Sequence, residues 1–498
     1  MAISDLEYAA WLANPSTNKQ VLVVAKYYDT SEEIIYLSDG VYITGPAESP
    51  PNQPFIDKIV SIPNFTRRVD PRTLKSSFAV GDIVISNPDG DFDPWLEYGW
   101  DGRDITIYYG DPTWEFADFR PLLTGAISDV AASNDTQIAI KIRDKGDRLN
   151  GPLKIGTIDP PTPRCYGECY NISPRLIDEP THTYRINDGS IEDILDVREN
   201  GVTVSFSKNL SAGAFSLLIA PLGQVTADVK GMKVGPGPSP PSPVYVNKVA
   251  DIVRDIVTKQ EVLADEEIDD ANFAAFNVDV PYIVGIYIDD RRNMLDVLEE
   301  LLGGVGAFWD FSPEGKMQLH VLNPPTAIAV QDLSVDDLYQ KNAIKLKKKE
   351  LPMYYFSLRG KPNFTRQEQG LAGSVSELDR AQWLDEFVIK KGTGGGGVRQ
   401  KFLLAESPPY VPCHAVVNAD LSTETIRRAA LYLSTFPGTY VMRLTFTVKA
   451  TIKALSLSLG DTVELTYPRF GFDAGKKCLV IGMQENITER YVKLDLWL

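Results

Sequence analysis

Gly102-Arg-Asp-Ile-Thr-Ile-Tyr-Tyr109 and Gly460-Asp-Thr-Val-Glu-Leu-Thr-Tyr467 lie far apart in the chain, yet both open on glycine and alternate apolar with polar residues. Alternation at period two sends one set of side chains to a buried face, so each reads as a half-buried strand. Each is followed by a strand broken by glycine, Leu122-Leu-Thr-Gly125-Ala-Ile-Ser-Asp129 and Leu479-Val-Ile-Gly482-Met-Gln-Glu485. Each then closes on another alternating strand, Ile138-Ala-Ile-Lys-Ile142 and Val492-Lys-Leu-Asp-Leu496. The intervals from Gly102 to Gly125 and from Gly460 to Gly482 are 23 and 22 residues. One explanation is that all β-barrels share such patterns. The other is two copies of one β unit near the two ends of the chain. In a trimer, two copies per chain present six similar surfaces, so a three-fold ring can mate with a six-fold one.

The chain has 498 residues, which predicts about three to four domains. Hydrophobic residues make up 43% and charged residues 23%, a globular balance that excludes wholesale disorder. Lys+Arg total 50 against 67 Asp+Glu, a net charge of −17. That balance argues against gripping nucleic acid by phosphate neutralisation, while allowing a surface past which nucleic acid slides. The start, Met1-Ala-Ile-Ser-Asp5-Leu-Glu, lacks the basic and apolar segments of a signal peptide, and the longest apolar run, Ala214–Leu222, contains Pro221. The expectation is a soluble chain made in the cytoplasm. Four cysteines (165, 169, 413, 478) are too few for a disulfide framework, and three histidines (182, 320, 414) leave the commonest acid–base residue scarce.

The patterning predicts a mainly β, multidomain (α+β) protein: two similar β-barrel domains near the termini, an intervening β region and a small α/β domain. The boundaries fall at 1–158 (N-terminal β-barrel), 159–243 (β-rich, ending in a Pro-rich linker), 244–344 (α/β) and 345–498 (C-terminal β-barrel). Asp5 is expected to cap a helix over Leu6–Ala13 that ends at Asn14-Pro15. Asp39-Gly40, Asp89-Gly90 and Asp101-Gly102 punctuate hairpins. Asp159-Pro160-Pro161-Thr162-Pro163 marks a change of region, and Gly235–Pro243 is the clearest linker. Val249, Ile252, Val253, Ile256 and Val257 share one helical face. A second helix is expected at about Asp290–Leu302, ended by a positive-φ cap at Gly303-Gly304, then a hairpin with its turn at Pro313-Glu-Gly315. Another helix is expected near Glu424–Ser434.

Several blocks resemble a known family, the tail hub proteins of long-tailed bacteriophages and gene transfer agents, relatives of the baseplate hub of contractile tails. They are Tyr8-Ala-Ala-Trp-Leu-Ala with Ile35-Tyr-Leu-Ser-Asp-Gly-Val-Tyr-Ile-Thr44, and Ser86-Asn-Pro-Asp-Gly-Asp91 with Gly102-Arg-Asp-Ile-Thr-Ile. Tyr166-Gly-Glu-Cys-Tyr-Asn-Ile-Ser-Pro174, Tyr184-Arg-Ile-Asn-Asp-Gly189 and Val225-Thr-Ala-Asp-Val-Lys-Gly231 follow, then Leu295–Phe311 and Leu459–Gly471. Their order along the chain carries the resemblance. It implies a virion structural protein of the tail tip or baseplate, a homotrimeric pseudo-six-fold ring enclosing the DNA exit channel. Implied partners are the tail tube or distal tail protein, tail tip or fibre proteins and the tape-measure protein in the lumen, with DNA only in transit and no stable membrane association. An acidic lumen would repel DNA phosphates. The resemblance brings no catalytic, cofactor-binding or metal-binding residues. The rival readings are a virion-associated cell-wall hydrolase and a receptor-binding tail module with an aromatic platform for glycans.

Five clusters invite chemistry. Gly392-Thr-Gly394-Gly-Gly-Gly397 fits G-x-G-x-x-G, but Val398–Leu404 reads as a strand where a nucleotide site needs a helix, so a surface loop is expected. Asp89, Asp91 and Asp93 have the spacing of an ion loop, yet Pro94 and Trp100 replace its glycine and glutamate. Cys165 and Cys169 have only His182 as an obvious companion, too few ligands for tetrahedral zinc. Some tail-tip relatives carry an iron–sulfur cluster, but that needs four thiolates, and Cys413 and Cys478 are distant. Buried thiols are expected instead. Cys413-His414, adjacent in a strand, would point to opposite faces. Lys341, Lys345, Lys347, Lys348 and Lys349 form one basic run, followed by Glu350 and free of aromatics, and read as a solvated strand or linker.

Overall fold

The computed structural model describes residues 3–14, 16–153, 161–235, 243–339, 343–407, 409–433, 435–436, 439–440 and 442–498. Lys341, Asp159, Pro160 and the interior of the Gly235–Pro243 linker lie outside them. The chain is mainly β and multidomain, as its patterning predicts. Strands nearest the N-terminus form a nine-stranded sheet in the order 42–43, 54–57, 32–38, 20–28, 104–110, 120–134, 137–143, 82–86, 59–61. Its inner face is built from the alternating residues: Ile105, Ile107, Ile138 and Ile140 are at most 2% exposed. Towards the C-terminus a second sheet runs 331–333, 462–467, 472–486, 491–497, 443–451, 344–350.

Between them, strand Arg164–Ile172 pairs with Val225–Val234 on one edge and Gly285–Ile288 on the other. The crossing is tight. Gly167 has φ 62°, and a Cβ there would sit 1.8 Å from the carbonyl oxygen of Val284. Helices Val249–Lys259 and Met294–Gly304 pack their leucine, isoleucine and valine faces into a core that runs continuously from Trp11 to Trp497. Pairing crosses the positions at which domain boundaries were read: 285–288 joins 164–172, 331–333 joins 462–467, and 65–69 joins 482–485.

Local reading and structure differ at several helix ends. Ser4, not Asp5, caps the first helix, Asp5–Ala13, because Glu7 three residues on completes a reciprocal capping box. The helix expected from Asp290 starts at Met294, capped by Asn293. Gly303 is inside it, Gly304 is its last residue, and the left-handed turn falls on Gly306, φ 69°. The helix expected at Glu424 begins six residues earlier, as Asn418–Tyr432. Helices Asp270–Asp279 and Glu377–Leu384 are short and weakly patterned, and the apolar periodicity does not announce them. Gly90 and Gly102 adopt positive φ in their turns, whereas Gly40 does not.

Gly167→Ala is expected to lower the thermal unfolding temperature sharply, costing at least about 1–3 kcal/mol from backbone strain before the clash with Val284 is counted. Differential scanning fluorimetry checks this, with Gly189→Ala, where no atom lies within 4 Å but φ is also positive, isolating the strain component.

Candidate assembly site: the twin β units and their joint

The two halves of the sequence echo fold alike. Strands 59–61, 82–86, 137–143, 120–134 and 104–110 neighbour one another in that order. Strands 344–350, 443–451, 491–497, 472–486 and 462–467 repeat the order, each pair antiparallel as in the first set. The match extends to single hydrogen bonds. Gly102 N donates to Ile127 O (2.9 Å) and Ile127 N to Arg103 O (2.8 Å); Gly460 N donates to Val480 O (2.8 Å) and Val480 N to Asp461 O (2.9 Å). Both glycines have positive φ, 76° and 89°. Both long strands carry a bulge at the same place: Ile127 and Asp129 oppose Ile142 and Lys141, and Val480 and Gly482 oppose Leu496 and Asp495.

These bonds correct the alignment drawn from glycine spacing. Ile127 corresponds to Val480, so Gly125 corresponds to Cys478 and Gly482 to Asp129. The two glycines answer different packing demands. A Cβ on Gly125 would press on Ile142 and on the carbonyl of Arg143, within its own sheet. A Cβ on Gly482 would meet Asp495 and the side chain of Arg68, which belongs to the other unit.

Arg68 reaches that position on an arm. Strands Ile59–Ser61 and Asp82–Ser86 pair, and beyond them Phe65–Val69 and Ser76–Val80 continue as a hairpin. The outer edge of this hairpin pairs with the C-terminal unit: Phe65 opposite Glu485, Thr66 opposite Gln484, Arg67 opposite Met483, Arg68 opposite Gly482. The long strand 472–486 pairs with 462–467 only as far as Leu479, and the arm takes over the edge left open beyond it.

Charge locks the joint. Arg67 meets Glu485 at 2.5 Å, with side chains 16% and 2% exposed. Burial alone would lower the Arg67 guanidinium's proton affinity, but the carboxylates of Glu485 and Asp310 outweigh it and hold it above its ordinary value. Asp495 collects Lys347 (2.6 Å), Arg68 (3.5 Å) and the Thr447 hydroxyl (2.7 Å). Such a buried pair contributes little net stability, but removing one partner strands the other charge. No sequence signal marked these residues. The arm's Phe65-Thr-Arg-Arg-Val69 is an ordinary short alternating strand.

The clusters singled out for chemistry resolve as follows. Gly392 to Gly394 end strand Phe387–Gly394, and Val398–Lys401 is one turn of helix where a strand was expected. The buried Val398 and the Arg399 guanidinium, 3.9 Å from the Tyr354 ring, hold that turn. Asp93 accepts from the Asn87 amide (2.8 Å) and Asp89 faces Lys58 (3.6 Å), so this loop is a side-chain-braced turn. Cys165 and Cys169 are buried free thiols; burial, then contact with Cys165, pushes the Cys169 thiol well up. Among the described residues no three His, Cys, Asp or Glu side chains are grouped to hold a metal ion. Cys413 and His414 do not meet as nucleophile and base. Burial pushes the Cys413 thiol up to about 12, while His414 donates from Nδ1 to Gly285 O (2.8 Å) and pairs through Nε2 with Glu300 (2.6 Å). Of the lysine run, Lys345–Lys349 form an exposed edge strand.

No protein-family model matches the chain, and no curated protein matches it. Among solved structures it is similar to the 43 kDa tail protein of prophage MuSo2 from Shewanella oneidensis, at 9% identity over 96% of this chain and 98% of that one (TM-score 0.41). It is also similar to a tail protein from Neisseria meningitidis, at 10% identity over 97% of both chains (TM-score 0.40). A third is a type VI secretion component from E. coli with structural similarity to T4 tail proteins, at 9% identity over 89% and 74% (TM-score 0.32).

Arg67→Ala is expected to destabilise the chain by about 3–5 kcal/mol by urea unfolding, and the joint replacement Arg67→Met with Glu485→Leu to recover most of it. Glu300 supplies a pH prediction. Burial raises its pKa, but the hydrogen bond and charge of His414, with Arg292, bring it down to about 2 from an ordinary 4.5. The folded state therefore binds fewer protons than the unfolded between those values. The stabilisation is whole above pH 4.5 and is lost as pH falls towards about 2. Melting temperature should fall less steeply across that window in Glu300→Gln.

Proposed function

We propose that this chain is the structural hub of a phage tail tip or baseplate, a homotrimer whose six β units form a pseudo-six-fold ring. The carrying observation is the duplication itself: two five-stranded units on one chain with the same turn hydrogen bonds and the same bulge. Two copies per chain let three chains present six like surfaces to a six-fold tube. In this reading residues 1–158 and 345–498 are the ring-forming domains, and 159–243 and 244–344 are the intervening β-rich and α/β domains. The ring closes the tail tube, adapts its symmetry and encloses the DNA exit channel. The net charge of −17 supports a channel that DNA crosses without adsorbing.

The partners in this reading are the tail tube or distal tail protein, tip or fibre proteins and the tape-measure protein. The role is assembly without catalysis, located in the virion. Counting copies in purified tails by quantitative mass spectrometry is the test. A copy number that is a multiple of three is expected, and any other number overturns the reading.

A further inference from the structure

Among the strand edges of this chain without a strand partner in the described residues, two belong to the twin units. One is the outer edge of Ile344–Glu350, last in its sheet. The other is the edge of strand 120–134 beyond Ile127, whose bonds with Gly102 and Arg103 are the last on that side. Both are accessible: Lys345 to Lys349 are exposed, as are Asp129 and Ala132 to Asn134. Exposed rows of unpaired amides and carbonyls invite another strand.

The twin architecture says which strand. Within the chain, the N-terminal unit lays Phe65–Arg68 along Gly482–Glu485 of the C-terminal unit. The equivalents of Gly482–Glu485, counted from the shared bulge, are Asp129, Val130, Ala131 and Ala132. The equivalents of the arm come from its pairing. Phe65, Thr66 and Arg67 oppose Val80, Ala79 and Phe78, two to four residues before Asp82, while Lys348, Lys349 and Glu350 oppose Thr445, Leu444 and Arg443, two to four residues before its equivalent Thr447. The two free edges are therefore the two halves of the joint already made once inside the chain.

We infer that strand Ile344–Glu350 of one chain pairs antiparallel with Asp129–Ala132 of a second copy, Lys348 opposite Ala132, Lys349 opposite Ala131 and Glu350 opposite Val130. This rests on the hub reading and deepens it by naming the surface that joins chains. The occupant is a second copy because the chain itself carries the complementary edge, on the unit left without a neighbour once the internal joint is made. Charge does not oppose the contact: Lys347 and Lys348 are paired within their own chain with Asp495 and Glu350, and Asp129, the one carboxylate of the facing stretch, with Lys141. Lysines on an edge also discourage indiscriminate pairing, so a register-matched partner is selected. The contact is heterologous, and alternating it with the internal joint closes three chains into one ring.

The test is oxidative cross-linking of the full chain carrying Ala131→Cys and Lys349→Cys. The native cysteines are buried and do not compete. Non-reducing gels are expected to show covalent dimers and a closed trimer, while Ala131→Cys with Lys345→Cys, four residues out of register, is expected to stay uncoupled. Light scattering separates the failures. A trimer without the Ala131–Lys349 bond overturns this pairing and leaves the hub reading intact. A chain monomeric at every concentration overturns the pairing too, and the copy number in tails then judges the hub reading separately. Equal coupling of both cysteine pairs overturns the register.

Discussion

A sheet edge with unpaired backbone groups is the constraint on which this structure depends. Strand 472–486 outruns its neighbour 462–467, so its amides and carbonyls beyond Leu479 need another partner. The chain supplies one from more than four hundred residues upstream, Phe65–Arg68. That choice sets much else. The arm must continue out of the 59–61 and 82–86 pair, position 482 must lack a side chain to admit Arg68, and Glu485 must find a cation once buried.

The joint is reinforced from below. The hydrophobic core is continuous across both units and the helical segment, so the units are coupled by packing as well as by strand pairing. Ser76 of the arm donates to the Trp309 carbonyl (2.7 Å), tying the arm to the hairpin Ala307–Phe311/Met317–Val321. Net energy from the Arg67–Glu485 pair is small, so its contribution is orientation: an arm in a shifted register would leave a charge buried without its partner. A rigid internal joint matters for a ring, because it sets the angle that repeated contacts between chains must share.

Local chemistry was legible wherever neighbours in sequence are neighbours in space. Helix Val249–Lys259 was read to its face because five apolar residues at 3.6-residue spacing leave no other period. The start of Asn418–Tyr432 was missed because its first turn is polar, with Leu421 the lone apolar landmark. The turn at Val398 was misread because Tyr354, more than forty residues away, stabilises it. The glycine-based alignment of the two units slipped by four residues in the long strand because Gly482 is set by Arg68, a contact between units.

The chain's covalent order was enough to show one strand pattern twice, since alternation and turn glycines act over a few bonds, and the fold decided that the two are like β units. Folding alone determined how they meet. Backbone pairing uses groups that every residue carries, so the partner of an edge leaves no periodic trace in the side chains. The choice of Phe65–Arg68 for Gly482–Glu485 was made by the space, curvature and buried charge that exist only once distant segments have come together.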